Sequence, residues 1–188
     1  MQRWTGRHEE WKEEVGSVAV ETTDGLVFID PIGEPPPGLG RPDHVLLTVF
    51  WHGRDAGSLG APHVWASAPG VKPLASRGIE VTDRVDEGPL PGGLEAYPTA
   101  RRGEVVYWIP EHRAIVVGDV LLGAGAKPRA TDDPLRLCPE RWLGAKTHAD
   151  LRESLRPLLE LPVEQVLVSH GEPVLEDGRR VLSELLAD

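Results

Sequence analysis

Few residues in this chain can do chemistry. Seven histidines are scattered along it, and only some sit where a carboxylate or a turn glycine stands close by. His52 and Asp55 share one loop. Asp119 follows Gly118 at the end of the apolar run Ala114–Val117. His170, followed by Gly171, comes just after the run Val166–Val168. Imidazoles and carboxylates carry protons or ligate metals. Each also has a plain structural reading. Gly-Asp at a strand end can cap the next turn, and a loop histidine can bond to backbone. Other reactive patterns are missing. No phosphate loop, Gly-x-Ser-x-Gly elbow or dinucleotide fingerprint occurs, and the glycines of Gly118–Gly125 fit none of them. Cys138 is the single cysteine, which excludes an internal disulfide and a cysteine zinc site.

The 188 residues suffice for one domain, 1–188, with a real core. Apolar residues make up 40% and charged ones 27%, a globular balance with no run long enough for a membrane span. The N-terminus runs from Met1 into Glu9, Glu10, Glu13 and Glu14 without a signal-peptide stretch, so a cytoplasmic protein is expected. A net charge of -10 repels phosphate backbones and argues against general nucleic-acid binding. Asn is missing altogether, Pro numbers 18, and Arg greatly outnumbers Lys. That composition suits a thermophile or a GC-rich genome.

The elements that must position these residues are mostly strands. Ser17–Thr22, a Thr23-Asp24-Gly25 turn and Leu26–Ile29 form a hairpin ending at Asp30-Pro31. Val45–Leu47 and His63–Ala66 are short strands, with a short helix expected over Arg54–Leu59. Ile79–Thr82 and Leu94–Tyr97 are weaker strands. Glu104–Ile109 and Ala114–Val117 flank a Pro110–Arg113 turn. His148–Leu159 has helical spacing behind an N-cap at Thr147. Val166–Val168 is a buried strand, and Asp177 can cap a last helix bearing Val181, Leu182, Leu185 and Leu186. The order suits a mixed α/β (α+β) layered fold.

Five segments in this order resemble the metallo-β-lactamase superfamily. Leu26–Pro31 (LVFIDP) is similar to its early strand ending in Asp. Asp43–Leu59 (DHVLLTVFWHGRDAGSL) resembles the strand and loop that carry T-H-x-H-x-D-H-x-x-G. Glu95–Tyr107 (EAYPTARRGEVVY) resembles the P-G-H-T-x-G-S segment. Ala114–Leu122 and Val166–Pro173 resemble the strands ending in Gly-Asp and His-Gly. The resemblance spans nearly the whole chain. It implies a four-layer αββα sandwich whose edge loops hold one or two metal ions that activate water.

On that alignment the metal positions are eroded. Val49, Trp51, Gly53, Arg54 and Ala100 stand where ligands belong, and none of these side chains ligates zinc. Asp119 and His170 match the motif. A shifted loop register adds His52 and Asp55, giving a two-histidine, two-carboxylate set for one metal. The competing expectation is a metal site converted to a packed salt bridge. In it Arg54 replaces the metal's charge beside Asp119 or Asp55, Trp51 fills the vacated volume, and the pocket is closed. Arg101 and Arg102 lie at the site mouth, where they could meet an anion or remain an ordinary solvated pair. His8, His44, His63, His112 and His148 match no motif.

Two functions follow from the resemblance. One is a degenerate, non-catalytic member with no resident metal that binds a small anionic ligand or a protein partner. The other is a diverged hydrolase of an ester, thioester or phosphodiester with one zinc or iron ion. Six tryptophans leave room for a protein interface, and a homodimer is a default for a chain of this size.

Overall fold

The computed structural model describes residues 1–187. A first sheet holds β1 (Gln2–His8), β2 (Glu13–Thr22), β3 (Gly25–Ile29), β4 (His44–Leu46), β5 (His63–Ala66) and β6 (Asp83–Arg84), in that spatial order. The first three run antiparallel and β3 to β6 run parallel. A second sheet has the order β12-β9-β8-β7, from β7 (Glu95–Pro98), β8 (Val105–Ile109), β9 (Ala114–Val117) and β12 (Gln165–Val168). Within it β12 lies parallel to β9. A small ribbon, β10 (Leu121–Gly123) with β11 (Leu135–Leu137), completes the strands.

The alternation of side chains along the strands builds the layers. Val18, Val20, Val27, Ile29 and Leu46 meet Val105, Tyr107, Ile109, Val116 and Leu167 between the two sheets. The intervening residues of the first sheet, among them Phe28, Val45 and Val64, face outward onto Leu74 of α1 (Val71–Ala75). On the far side of the second sheet, Val106, Trp108, Ile115, Val117 and Val166 pack against α2 (His148–Leu155) and α3 (Gly178–Leu186). The result is helix, sheet, sheet, helix: the four-layer αββα sandwich of the mixed α/β class. No helix is long and apolar enough to cross a membrane.

Several elements differ from the sequence expectation. Gln2–His8 is a full strand, anchored by the buried Trp4, whose indole N–H donates to the Ile32 carbonyl at 2.8 Å. The helix expected over Arg54–Leu59 is replaced by a 3-10 turn at Phe50–Gly53 followed by irregular turns. Gly53 lies against Leu74 and Ile79, where an added Cβ would come within 2.6 Å of Leu74, so packing rather than propensity sets this loop. The strand expected at Ile79–Thr82 forms later, at Asp83–Arg84. The helix beginning at His148 changes to a 3-10 turn at Arg156–Glu160, because Pro157 cannot donate into the α ladder. Asp177 occupies the N-cap position of α3 at φ +55°, but its side chain makes no cap bond and lies 3.6 Å from Arg180.

Thr147 does cap α2. Its hydroxyl accepts from the Asp150 amide, and the Asp150 carboxylate accepts from the Thr147 amide, a reciprocal capping box. Thr147→Ala is expected to lower stability by about 1 kcal/mol with an unchanged urea m-value. A urea titration followed by circular dichroism checks this, and an unchanged midpoint would show that the cap contributes nothing.

Candidate metal and ligand site

One end of the sandwich collects the polar side chains that the core excludes. Asp30 follows β3, Thr48 comes shortly after β4, Asp119 follows β9, and His170 follows β12. The antiparallel strands β2 and β8 begin at this same end, which brings in Glu13 and Glu104. The Gly16 amide donates to the Ser169 carbonyl at 2.8 Å, tying the two sheets together beside the site.

Asp119 is the hub, and it is buried. Its Oδ1 lies 3.0 Å from His52 Nε2 and 3.1 Å from His170 Nε2. Its Oδ2 accepts from Trp51 Nε1 at 2.5 Å and from Arg101 Nη1 at 2.8 Å. The amides of Asp119 and Val120 both donate to Glu104 Oε1, at 2.6 and 2.9 Å, while Arg101 Nη1 also reaches Glu104 Oε2 at 3.2 Å. Each histidine is held from behind by another carboxylate. His52 Nδ1 is 2.8 Å from Asp30 Oδ2, and His170 Nδ1 is 2.5 Å from Glu13 Oε1. Asp30 in turn accepts from the Thr48 amide at 2.8 Å and from its hydroxyl.

These contacts fix the charges. Burial opposes ionisation of Asp119, but His52's charge and bonds from His170 and His52 outweigh it and hold the carboxyl well below the usual carboxylate range. Burial likewise opposes the charged form of His170, yet its bonds to Asp119 and Glu13 prevail and raise its pKa. For Glu13 burial is again outweighed, by the His170 bond, and the pKa falls. Glu104 goes the other way: burial first, then the nearby charge of Asp119, push it up to about 7.

Of the residues expected to form a site, His52, Asp119 and His170 come together, each offering a ligand atom within 4.8 Å of the others. Asp55 does not join them, because its Oδ2 accepts from the Gly33 amide at 2.7 Å, at the cavity's edge. The two-carboxylate set is therefore corrected to two histidines and one carboxylate. Arg54 does not form the expected ion pair either. The cation on Asp119 is Arg101, whose guanidinium stacks 4.2 Å over the Trp51 ring. Arg102 is exposed and does not line the cavity. The expected closed pocket is also corrected. A cavity of about 780 Å³ opens beside Asp119, bordered by Trp11, Trp51, Arg54, Arg101, Trp142 and His170. His8, which matched no motif, lines it too.

Nothing in the sequence singles out Asp30, Glu13 and Glu104 as site residues. Asp30 closes an apolar strand, and Glu104 opens one, so both are lone charges at strand ends. Glu13 lies within an acidic stretch, where nothing separates it from its neighbours.

The three ligand atoms could hold one metal ion. Two imidazole Nε2 atoms and one carboxylate oxygen converge, and both Nδ1 atoms face carboxylates, the arrangement that orients metal-binding histidines. On the other side of Asp119, Trp51 and Arg101 occupy Oδ2, and Val49 and Ala100 offer no ligand.

Glu104 makes stability depend on pH. Its folded pKa of about 7 exceeds its ordinary 4.5, so its contribution is fully present below about 4.5 and is lost as pH rises through 7. His170 is raised above 6.5, so its contribution too is lost as pH rises through its folded value. Metal-free protein should therefore lose stability from about pH 4.5 to about pH 7 through Glu104, and Glu104→Gln should flatten that loss. Thermal unfolding at stepped pH measures it, and an identical slope in the variant would contradict the assignment.

Comparison by sequence with protein-family models and with curated proteins gives no match. Comparison of structures does. TTHA1623, solved in a di-iron-bound form, superposes with a TM-score of 0.63 at 23% identity, covering 92% of this chain and 93% of that one. ST1585, an archaeal metallo-β-lactamase superfamily protein from Sulfolobus tokodaii, gives 0.64 at 17% identity over 98% and 84%. A metallo-β-lactamase from Hirschia baltica gives 0.66 at 15% identity over 98% and 90%. At TM-scores above 0.6 over nearly the whole chain, these matches show that the chain has the metallo-β-lactamase fold.

Proposed function

We propose that this chain is a mononuclear metal-dependent hydrolase, acting on an ester, thioester or phosphodiester, with one zinc or iron ion held by His52, Asp119 and His170. The observation that carries this reading is the hydrogen count around the two imidazoles. Each ring lies between two carboxylates, with Nδ1 on Asp30 or Glu13 and Nε2 on Asp119. A neutral imidazole has one N–H and cannot donate to both sides. A proton on each Nε2, or a cation shared by both, satisfies the geometry. A single divalent ion carries the same added charge as those two protons. The di-iron form of TTHA1623 makes iron as reasonable a probe as zinc.

Such an ion supplies Lewis acidity and acidifies water at neutral pH. The chain's own residues do the positioning. Asp30 and Glu13 set the orientation of the two rings. Trp51 and Arg101 fix the second oxygen of Asp119, and Glu104 holds both Arg101 and the Asp119 amide. The adjoining cavity gives a substrate access to this cluster.

A second reading is favoured by one contact. The Arg101–Asp119 ion pair, 2.8 Å long, already balances Asp119 without a metal. The protein would then be a non-catalytic binder built on a converted site.

Elemental analysis of tag-free protein, purified from zinc- and iron-supplemented medium, separates the two. The expected result is close to one metal per chain, lost in both His170→Ala and His52→Ala while their circular dichroism stays native. Metal near zero in the parent protein would overturn the hydrolase reading and leave the binder.

A further inference from the structure

We infer that Arg54 is the seat of an oxyanion, so that the cavity's ligand carries a carboxylate or phosphate group. The inference rests on reading this cavity as the binding site, but it needs no metal there. Arg54 borders the cavity, yet its Nε and Nη1 are shut off from solvent with no hydrogen-bond partner among the described residues. The carboxylates around it, Asp30, Asp119 and Asp55, lie beyond ion-pair distance. Those carboxylates are already engaged. Asp30 holds His52, Asp119 holds Arg101, and Asp55 holds the Gly33 amide.

Guanidinium N–H groups withdrawn from water without a partner are destabilising until an acceptor meets them. Its backbone adds to the cost: φ of +24° is in the left-handed range, which a branchless glycine adopts far more readily than arginine. The other arginines of the wall differ, and Arg7 among them is exposed to solvent. Arg77 donates to the Phe50 carbonyl at 3.2 Å, and Arg101 is bound to Asp119 and Glu104. Arg54 is thus the half-buried cation of this wall whose Nε and Nη1 remain without an acceptor. Trp51 and Trp142, both partly buried, give the same wall flat apolar surface for the rest of such a ligand.

The test uses metal-free and zinc-treated full-length protein, with cavity tryptophan fluorescence as the readout and inorganic phosphate and benzoate as probes. Saturable binding of at least one probe to the metal-free protein is expected, and Arg54→Met should weaken it by about tenfold or more. Arg102→Met removes the same charge outside the cavity and should leave binding unchanged. Arg54→Met should unfold at no lower temperature than the parent, since it removes an unpartnered buried charge and keeps most of the volume. The inference is overturned if neither probe saturates, if Arg54→Met binds as the parent does, or if Arg54→Met unfolds at a clearly lower temperature. Binding confined to zinc-treated protein and indifferent to Arg54 would place the anion on the metal and overturn it as well. Because the metal-free arm requires no ion, its failure is separate from failure of the hydrolase reading.

Discussion

A carboxylate taken out of water must be met by hydrogen-bond donors and opposite charge, or it loses its ionisation. Asp119 meets this requirement from four directions. Trp51 and His52 arrive on the loop after β4, Arg101 on the loop before β8, and His170 on the loop after β12. The two sheets are thereby joined at one end through a single side chain. The approach is close enough that Gly118 tolerates no Cβ, which would sit 2.6 Å from Thr48 Oγ1 and 2.8 Å from Glu104 Oε1. The outer ring of Asp30, Glu13 and Glu104 exists to hold the donors, and its members sit where strands begin or end because the chain leaves the apolar layers there.

The charge pattern around Asp119 is asymmetric. On the Oδ2 side an arginine stacks over an indole, and both donate to the carboxylate. On the Oδ1 side two imidazoles converge, backed by carboxylates. The Oδ1 side is thus a buried set of two imidazoles and one carboxylate, and the Oδ2 side already holds a cation. A divalent ion on the Oδ1 side would compete with protons, so the proposed metal binding would release protons and strengthen as pH rises. Arg54 belongs to neither side and answers to the cavity instead.

Much of the sandwich was legible in the sequence because period-two alternation is a local property. The apolar runs Ala114–Val117 and His63–Ala66 are strands with the same bounds, and the capping box at Thr147 needs only residues three apart. The strand β1 was not legible: only Trp4 and Gly6 among its residues are buried, so no apolar alternation marks it. The site was half legible. Asp119 and His170 end apolar runs, and His52 was reachable by a one-residue shift of its loop. Whether Asp55 turned inward depended on the 3-10 turn at Phe50–Gly53 and on Gly33 presenting its amide, both consequences of packing. The choice between Arg54 and Arg101 as the partner of Asp119 was equally remote. It is settled by the loop before β8, 18 residues from Asp119 in sequence.

The most direct test of a single metal centre is anomalous diffraction at the zinc edge from crystals of zinc-treated protein. The account predicts one strong peak, within about 2.0–2.2 Å of His52 Nε2, His170 Nε2 and an Asp119 oxygen. Arg101 should remain on the other Asp119 oxygen. A density map with no peak there, and both imidazoles still hydrogen-bonded to Asp119, would contradict it.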